Sequence, residues 1–243
     1  ALYSADDALE FRTKLLNIFA SNSATTWIEA KQIEERFKKV QIENITSKPP
    51  TMVGVDLSVR DDFSTVTYNL YSVDSRSFHS YTDYYFPDGA LEKHPNCELY
   101  KGWVKAGYLK LCKGDIIDYQ QIVDDILKMA NYLCIMGIGY DPYKSAEFVN
   151  LLSSSVGGEA DIINPVKQTY GTFTSPVESF EIAIYSNKIS FDPNPITPYC
   201  FANAILDEDR NCNKKPIKKT HNAKIDSTIT NLMTFHLFNN LTS

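Results

Sequence analysis

The hydrophobic pattern after residue 50 predicts three consecutive β-strands. A short apolar run begins at residue 52 and ends on a polar residue, Asp56, which is typical of a buried strand and predicts one over 52–57. Residues 64–73 follow a polar turn and alternate roughly between β-branched or aromatic and polar residues, which predicts a strand with one buried side. A third strand is predicted over 77–86. Because these strands are close in sequence, antiparallel pairing is expected.

The pattern then changes to alternating helices and strands. Residues 118–131 have apolar positions at helical spacing, and a further helix begins at 145–152. Between them, 134–140 is a fully apolar strand, which we expect to run parallel to the first strand and to be buried on both faces. A short fifth strand is predicted at 161–165. The expected fold class is therefore α/β, a mixed sheet of five or more strands, three antiparallel and then two parallel, with helices on both faces.

The last third of the chain is predicted to contain two longer helices, at 175–186 and 224–238. The segment 188–191 is short and extended. Residues 198–207 are first apolar and then acidic, and their pattern leaves helix and strand open. A lysine-rich segment at 211–224 precedes the final helix.

The first 50 residues differ from the remainder. Apolar residues at helical spacing predict a helix at 8–20 and a second, charged helix at 28–40. The two prolines at 49–50 stop any helix. We therefore interpret 1–50 as a helical arm that links or braces, and 51–243 as the core domain.

Composition limits the possible classes of protein. The chain has 243 residues, 43% hydrophobic and 22% charged, as in an ordinary globular protein. No apolar run approaches the roughly 18 residues of a membrane span, and acids in the first ten residues argue against a secretory signal. Five cysteines, an odd number without a CxxC pair, favour free thiols in a reducing compartment.

Charge points to a local rather than a general affinity for nucleic acid. The net charge of −6 argues against a protein that coats nucleic acid over its whole surface. A basic cluster nevertheless lies within the lysine-rich segment, and it is either a solvated loop or a DNA-binding surface. Its members are Lys214, Lys215, Lys218, Lys219, His221 and Lys224.

Three aspartates lie at comparable ends of predicted elements. Asp56 ends the first strand, Asp141 follows the fourth, and Asp226 begins the last helix. Ligand sites in open α/β sheets gather at the carboxyl ends of strands, so these carboxylates are expected to meet at one edge. Their mutual repulsion would be relieved by Mg²⁺ or Mn²⁺, which prefer oxygen ligands. The alternative is that each aspartate caps a turn through its own backbone.

Other chemistry has weaker support. The glycines at 102 and 107 have the spacing of a P-loop, but Tyr108 and Leu109 stand where Lys and Ser or Thr are required. No G-x-S-x-G nucleophile motif is present. The four histidines lack the paired spacing of a zinc site.

Three segments together resemble a known family. GVDLS at 54–58, GYDPYKSAEFVNLL at 139–152 and KIDSTITNLM at 224–233 resemble the three nuclease motifs of the large terminase subunit of tailed bacteriophages. The resemblance covers about 51–238 and implies an RNase H-like fold. The arm at 1–50 resembles the segment that joins the packaging ATPase to the nuclease in that family.

The resemblance also implies a site and an activity. The metal-binding acids of the family fall on Asp56, Asp141 and Asp226, and a further acid falls on Asp62, for which Asp61 competes. The implied activity is endonucleolytic cleavage of double-stranded DNA, the concatemeric viral genome, with two Mg²⁺ or Mn²⁺ ions. The family also brings a loop or hairpin near the DNA just before its last acid, where this chain has its lysine-rich segment.

The resemblance further implies partners and a location. Expected partners are double-stranded DNA, the portal protein, the small terminase subunit and the ATPase half of the same chain, with no membrane. The expected location is the cytoplasm of an infected bacterial host, at the procapsid, and the isolated domain is expected to be monomeric. Two alternatives stay open, another RNase H-like nuclease such as a junction resolvase and a non-catalytic module that docks DNA or the portal.

Overall fold

A mixed sheet lies at the centre of the computed structural model, which describes residues 26–143, 145–156 and 160–241. Within those residues the sheet has seven strands. They are β1 (Pro50–Asp56), β2 (Ser64–Ser72), β3 (Ser77–Pro87), β4 (Lys110–Cys112), β5 (Cys134–Tyr140), β6 (Ile163–Pro165) and β7 (Ile189–Phe191). A separate two-stranded hairpin consists of β8 (Ala204–Glu208) and β9 (Lys214–Lys218).

The order of the strands confirms the predicted fold class. Along the sheet the order is β4-β3-β2-β1-β5-β6, and β7 pairs with β3. The pairs β1–β2 and β2–β3 are antiparallel, whereas β1–β5 and β5–β6 are parallel. The apolar strand β5 therefore lies directly beside β1 and parallel to it, as predicted. The expectation that β5 is buried on both faces is wrong for its first half, because Cys134 and Met136 are exposed and only Gly137, Ile138 and Gly139 are fully buried.

Helices cover both faces of this sheet. They are α1 (Ala30–Glu34), α2 (Asp88–Leu91), α3 (Cys97–Lys105), α4 (Tyr119–Met129), α5 (Ala146–Val156), α6 (Tyr170–Tyr185), α7 (Ile196–Ala202) and α8 (Asp226–Leu241). Short 3₁₀ turns occur at Ile42–Asn44 and Ala160–Ile162. On β1, Val53 and Val55 belong to the apolar cluster that includes α4 and α5, whereas Met52 packs in the cluster of α6 and α8. The side chains of β1 alternate between the two faces of the sheet and thus pack against helices on each side.

Several predicted boundaries are wrong. The helix predicted at 28–40 is only α1, five residues long. Helix α6 begins at Tyr170, earlier than the predicted 175, because Thr169 caps it by accepting a hydrogen bond from the Thr172 backbone N–H. The fifth strand begins at Ile163, after a 3₁₀ turn. The predicted helix at 8–20 lies outside the described residues.

The ambiguous and lysine-rich segments form one unit. Residues 198–207 contain both alternatives, since α7 ends at Ala202 and β8 begins at Ala204. The lysine-rich segment is partly a strand, β9, rather than a loop, and it pairs antiparallel with β8. The side chains of a lysine-rich strand are thereby held at a defined register.

The described part of the predicted arm packs against the core. Ile28 and Ile33 are buried in the same apolar cluster as Phe180 and Phe191. The Trp27 indole N–H donates to Glu181 at 2.8 Å. These contacts brace the core face that carries α6. None of the helices in the described residues is both long and apolar enough to cross a bilayer.

Candidate active site

Asp56 and Asp141 occupy matching positions on adjacent strands. Val55 of β1 is in register with Tyr140 of the parallel strand β5, so the residues that follow them, Asp56 at the end of β1 and Asp141 just after β5, lie at the same edge of the sheet. Both aspartates line one cavity of about 910 Å³, together with Asp62 and Asp226. The expected meeting of these acids at the carboxyl ends of the strands is the arrangement that the structure has.

Asp226 is positioned by the close approach of α8 to β1. A Cβ added to Gly54 would overlap the backbone carbonyl oxygen of Thr230, so only glycine permits this distance. Gly54 and Asp56 lie on the same face of β1, two residues apart. The first residue of α8, Asp226, therefore reaches the end of β1 where Asp56 lies.

A buried polar layer fixes the register of α8 on the sheet. The Thr67 hydroxyl lies 2.6 Å from that of Thr230, and the Asn69 amide donates to the Thr234 hydroxyl at 2.8 Å. The Ser80 hydroxyl donates to Asn231 Oδ1 at 2.8 Å. Because buried polar groups are costly to leave unpaired, sliding or rotating α8 would break these bonds together. The layer thus holds Asp226 at a fixed height above the sheet.

Asp226 and Asp56 are strongly perturbed acids. Asp226 is 6% exposed, and its Oδ2 has no hydrogen-bond partner among the described residues. Burial, followed by the charges of Asp62 and Asp56, raises the pKa of Asp226 well above its usual value. Burial, followed by Asp141 and Asp62, raises the pKa of Asp56 to about 7. A buried carboxylate oxygen without a donor is a group that a hard cation would satisfy.

Asp141 is held by hydrogen bonds. Its Oδ2 accepts from the Gln168 side-chain amide at 2.6 Å, and its Oδ1 accepts from the Tyr143 backbone N–H at 2.9 Å. Gln168 was not among the predicted site residues. It follows β6, the strand beside β5, and its only sequence signal is a polar residue just after a parallel strand.

Asp62 is engaged by two lysines. Lys218 Nζ lies 2.9 Å from Asp62 Oδ2, and Lys224 Nζ lies 2.8 Å from Asp62 Oδ1. The Lys224 side chain is only 9% exposed, and its Nζ also donates to the Asp61 carbonyl at 3.0 Å. The Asp61 carboxylate is 87% exposed. Of the two competing acids, Asp62 is thus the one built into the site, and its immediate partners are ammonium groups.

The acids are not arranged as a preformed metal site. Across the described residues, no three His, Cys, Asp or Glu side chains converge tightly enough to hold an ion. Asp141 and Asp62 both accept hydrogen bonds from side chains of the same site, Gln168 for Asp141 and Lys218 and Lys224 for Asp62. The three aspartates nevertheless fit Mg²⁺ or Mn²⁺, because they present carboxylate oxygens to one cavity and one of these oxygens, Asp226 Oδ2, is buried and unsatisfied.

The predicted basic cluster is divided by the structure. The cavity that the four aspartates line, called the acidic cavity from here on, is also lined by Lys218, His221 and Lys224. Lys215 instead lies over the Tyr170 ring, with Nζ 4.5 Å from its centroid. Lys219 Nζ is 3.4 Å from the Thr26 hydroxyl.

The hairpin that carries these lysines is tied to α6. The Lys214 backbone N–H donates to the Thr174 hydroxyl at 2.9 Å, and the Tyr170 hydroxyl donates to Asp207. The hairpin therefore has a fixed position beside the acids.

Comparison with known proteins identifies the family. The family described as "Terminase large subunit, endonuclease domain" matches residues 4–240. The chain belongs to this family. The predicted resemblance to the terminase nuclease family is thereby confirmed.

Solved structures of terminase nucleases share the fold. The HK97 bacteriophage large terminase superposes with a TM-score of 0.76 at 18% identity, over 97% of this chain and 51% of that one. The large terminase nuclease from thermophilic phage G20c, in a crystal structure with bound magnesium, gives a TM-score of 0.55 at 6% identity, over 88% of this chain and 98% of that one. The terminase domain described here therefore has the RNase H-like fold that the resemblance implied.

A curated relative shows the extent of the match. Protein YmfN of Escherichia coli (strain K12) is 26% identical over 241 residues, which is 92% of this chain and 50% of YmfN. The chain thus spans about half the length of this relative and of the HK97 terminase.

Proposed function

We propose that this domain is a divalent-metal-dependent endonuclease that cleaves double-stranded DNA during viral genome packaging. The observation that carries the proposal is the convergence of Asp56, Asp141 and Asp226 on one cavity, with Asp226 Oδ2 buried and unsatisfied. Membership of the terminase endonuclease family and the magnesium in the crystal structure of the G20c nuclease support it.

The three aspartates would hold the metal. Two Mg²⁺ or Mn²⁺ ions, when bound, supply an activated water and stabilise the leaving oxygen of an in-line phosphodiester cleavage. Asp56 and Asp226 must be ionised to act as ligands, and their raised pKa values mean that protons compete with metal near neutral pH. Gln168 keeps the Asp141 carboxylate oriented toward the same edge of the sheet.

The two lysines beside Asp62 are proposed to stabilise the negative charge of the scissile phosphate. Lys218 and Lys224 place ammonium groups next to the acids, where the scissile phosphate must lie. Asp62 as a further metal ligand stays a prediction, since both its oxygens accept from lysines and these would have to move. The hairpin residues Lys214, Lys215 and Lys219 are proposed to contact DNA phosphates without reading sequence.

Partners and location follow from the same proposal. The chain covers about half of its relatives, so the ATPase half of the same chain, the portal protein and the small terminase subunit are proposed partners. The proposed place of action is the host cytoplasm, at the procapsid, with the isolated domain monomeric.

Plasmid digestion tests the activity. The parent domain is expected to nick or linearise supercoiled plasmid with Mn²⁺ and not with EDTA. Asp56→Ala and Asp226→Asn are expected to abolish cleavage. The matched control is Asp74→Asn, an exposed aspartate on the turn at the opposite end of β2, which should cut at the parental rate. A parent that binds DNA but never cuts it would favour the docking-module alternative.

A further inference from the structure

A second cavity adjoins the candidate active site. It has a volume of about 410 Å³ and shares Arg60, Asp61, Asn222 and Lys224 with the acidic cavity. Lys93 and His94, which follow α2, complete its polar lining together with Asn96. We call it the Arg60–His94 cavity. Because the two cavities share one wall, a ligand that fills the first can continue into the second.

The charge of the Arg60–His94 cavity is positive, against the net charge of −6 for the whole chain. Arg60 Nε makes a long contact of 3.9 Å with the Asp61 carboxylate, which is 87% exposed and therefore well screened by water. Lys93 is exposed and has no ion-pair partner among the described residues. Two cations thus remain available to an external anion.

His94 adds a donor of fixed orientation. Its ring is stacked on that of Tyr100, with centroids 4.4 Å apart and planes at 21°. Its Nδ1 accepts a hydrogen bond from the Asn96 backbone N–H at 3.1 Å. In the neutral ring Nε2 therefore carries the proton and acts as a donor. Burial, and then the charge of Lys224, lowers the pKa of His94, which keeps the ring in this neutral form.

We propose that the Arg60–His94 cavity binds the sugar–phosphate backbone of the DNA as it leaves the acidic cavity, with Arg60 and Lys93 contacting phosphates and His94 donating one hydrogen bond. Continuity with the site, positive charge and a pre-oriented neutral donor all match a phosphodiester strand. These contacts read no base edge, so the surface is independent of sequence. The inference rests on the proposed function, because it takes the acidic cavity to hold DNA.

The salt dependence of DNA binding tests the two cations. Affinity for a double-stranded fragment is measured from 50 to 200 mM salt with EDTA present, so that no cleavage occurs. Arg60→Ala/Lys93→Ala should lower the slope of log K against log salt by about 1.8, since each lost phosphate contact removes about 0.9. The matched control is Lys31→Ala/Lys128→Ala, which removes two exposed lysines that line neither cavity.

A second variant tests the hydrogen bond that His94 is proposed to donate, separately from the charges of Arg60 and Lys93. His94→Phe keeps the stacking on Tyr100 and removes the donor. Because a neutral histidine releases no counterion, the slope should stay parental, whereas affinity should fall about two- to tenfold. The melting temperature of Arg60→Ala/Lys93→Ala should match the parent, since both residues are exposed.

The inference is overturned if Arg60→Ala/Lys93→Ala has the slope of the control pair, or if His94→Phe binds as tightly as the parent. The proposed function fails on a different result, namely plasmid that stays uncut by the parent with Mn²⁺. A parent that binds with the expected slope losses but cuts nothing would leave the DNA surface standing and remove the nuclease.

Discussion

Gly54 on β1 and Thr230 on α8 are in backbone contact, and this contact sets the distance between two of the candidate metal ligands. Any Cβ at position 54 would overlap the Thr230 carbonyl oxygen. Asp56 lies two residues after Gly54, and Asp226 lies one helical turn before Thr230. The spacing of the acids is therefore a consequence of how closely a helix can approach a strand that has no side chain at that point.

Gly54→Ala should consequently damage both stability and activity. Pushing α8 off the sheet breaks the polar layer and shifts Asp226, so we expect a loss of about 1–3 kcal/mol of unfolding free energy and a loss of plasmid cleavage. Gly171→Ala is the control, because Gly171 lies in the first turn of α6 with no atom near its Cβ position, and alanine there should be neutral or stabilising. Urea unfolding measures both. A Gly54→Ala variant as stable and active as the parent would contradict the close approach.

The metal-free domain should lose stability as the pH rises through neutrality. Asp56 has a pKa of about 7 in the folded state against 3.8 for an ordinary aspartate, so the folded state binds more protons between these values. The contribution of Asp56 to the unfolding free energy is therefore fully present below about pH 4, and it is lost as the pH rises to 7 and above.

Thermal melts from pH 5 to 8 in EDTA measure this dependence. Asp56→Asn should flatten the decline, whereas the control Asp74→Asn should keep the parental slope. An Asp56→Asn variant with an unchanged pH profile would show that another group causes the decline.

Replacing Asp62 should lower the stability of the metal-free domain, whereas replacing Asp226 should not. Asp62→Asn leaves the buried Lys224 ammonium without its carboxylate, so the metal-free domain should lose about 1–3 kcal/mol, less than the 3–5 of a fully buried pair because Asp62 is partly exposed. Asp226→Asn removes only a repelling charge and should fold at least as well as the parent.

A double-mutant cycle with Lys224→Met separates the pair from other effects. We expect Asp62→Asn to cost much less in the Lys224→Met background. Equal costs in both backgrounds would show that Asp62 does not stabilise Lys224. Cleavage by Asp62→Asn with excess Mn²⁺ should be impaired less than cleavage by Asp226→Asn.

The hairpin lysines should contribute to DNA binding independently of Asp62. Lys214→Ala/Lys215→Ala removes two β9 charges, neither of which pairs with the site acids in any described contact, and should lower the salt slope by about 1.8. Fluorescence anisotropy with a labelled duplex measures the slope. A slope equal to that of Lys31→Ala/Lys128→Ala would leave the hairpin without a role in binding.

The sequence predicted the sheet because its central strands carry a strong signal. The apolar runs of β1 and β5 favour adjacent places in the centre of the sheet, although the first half of β5 is partly exposed, and the acid at the end of each run then marks the site. The hairpin was missed because Lys214–Lys218, KKPIK, has the charge and the proline of a loop. Only its partner β8 and its contacts with α6 make it a strand.

Helix α8 shows why a periodic pattern can mislead. Its apolar positions at helical spacing predicted the helix, yet the polar residues Thr230, Asn231 and Thr234 are also buried. Their partners, Thr67, Ser80 and Asn69, lie more than 140 residues away in sequence, so no local pattern reveals them. Gln168 was missed for the same reason, since its role depends on β6 lying beside β5.

The most direct test of the central claim is a calorimetric titration of the metal-free domain with Mn²⁺ at pH 8. The account predicts saturable binding of two ions by the parent and by Asp74→Asn, with a rise in melting temperature, and weakened binding with a smaller rise for Asp226→Asn. Equal Mn²⁺ binding by the parent and Asp226→Asn, or no binding by the parent, would contradict the assignment of Asp56, Asp141 and Asp226 as a metal site.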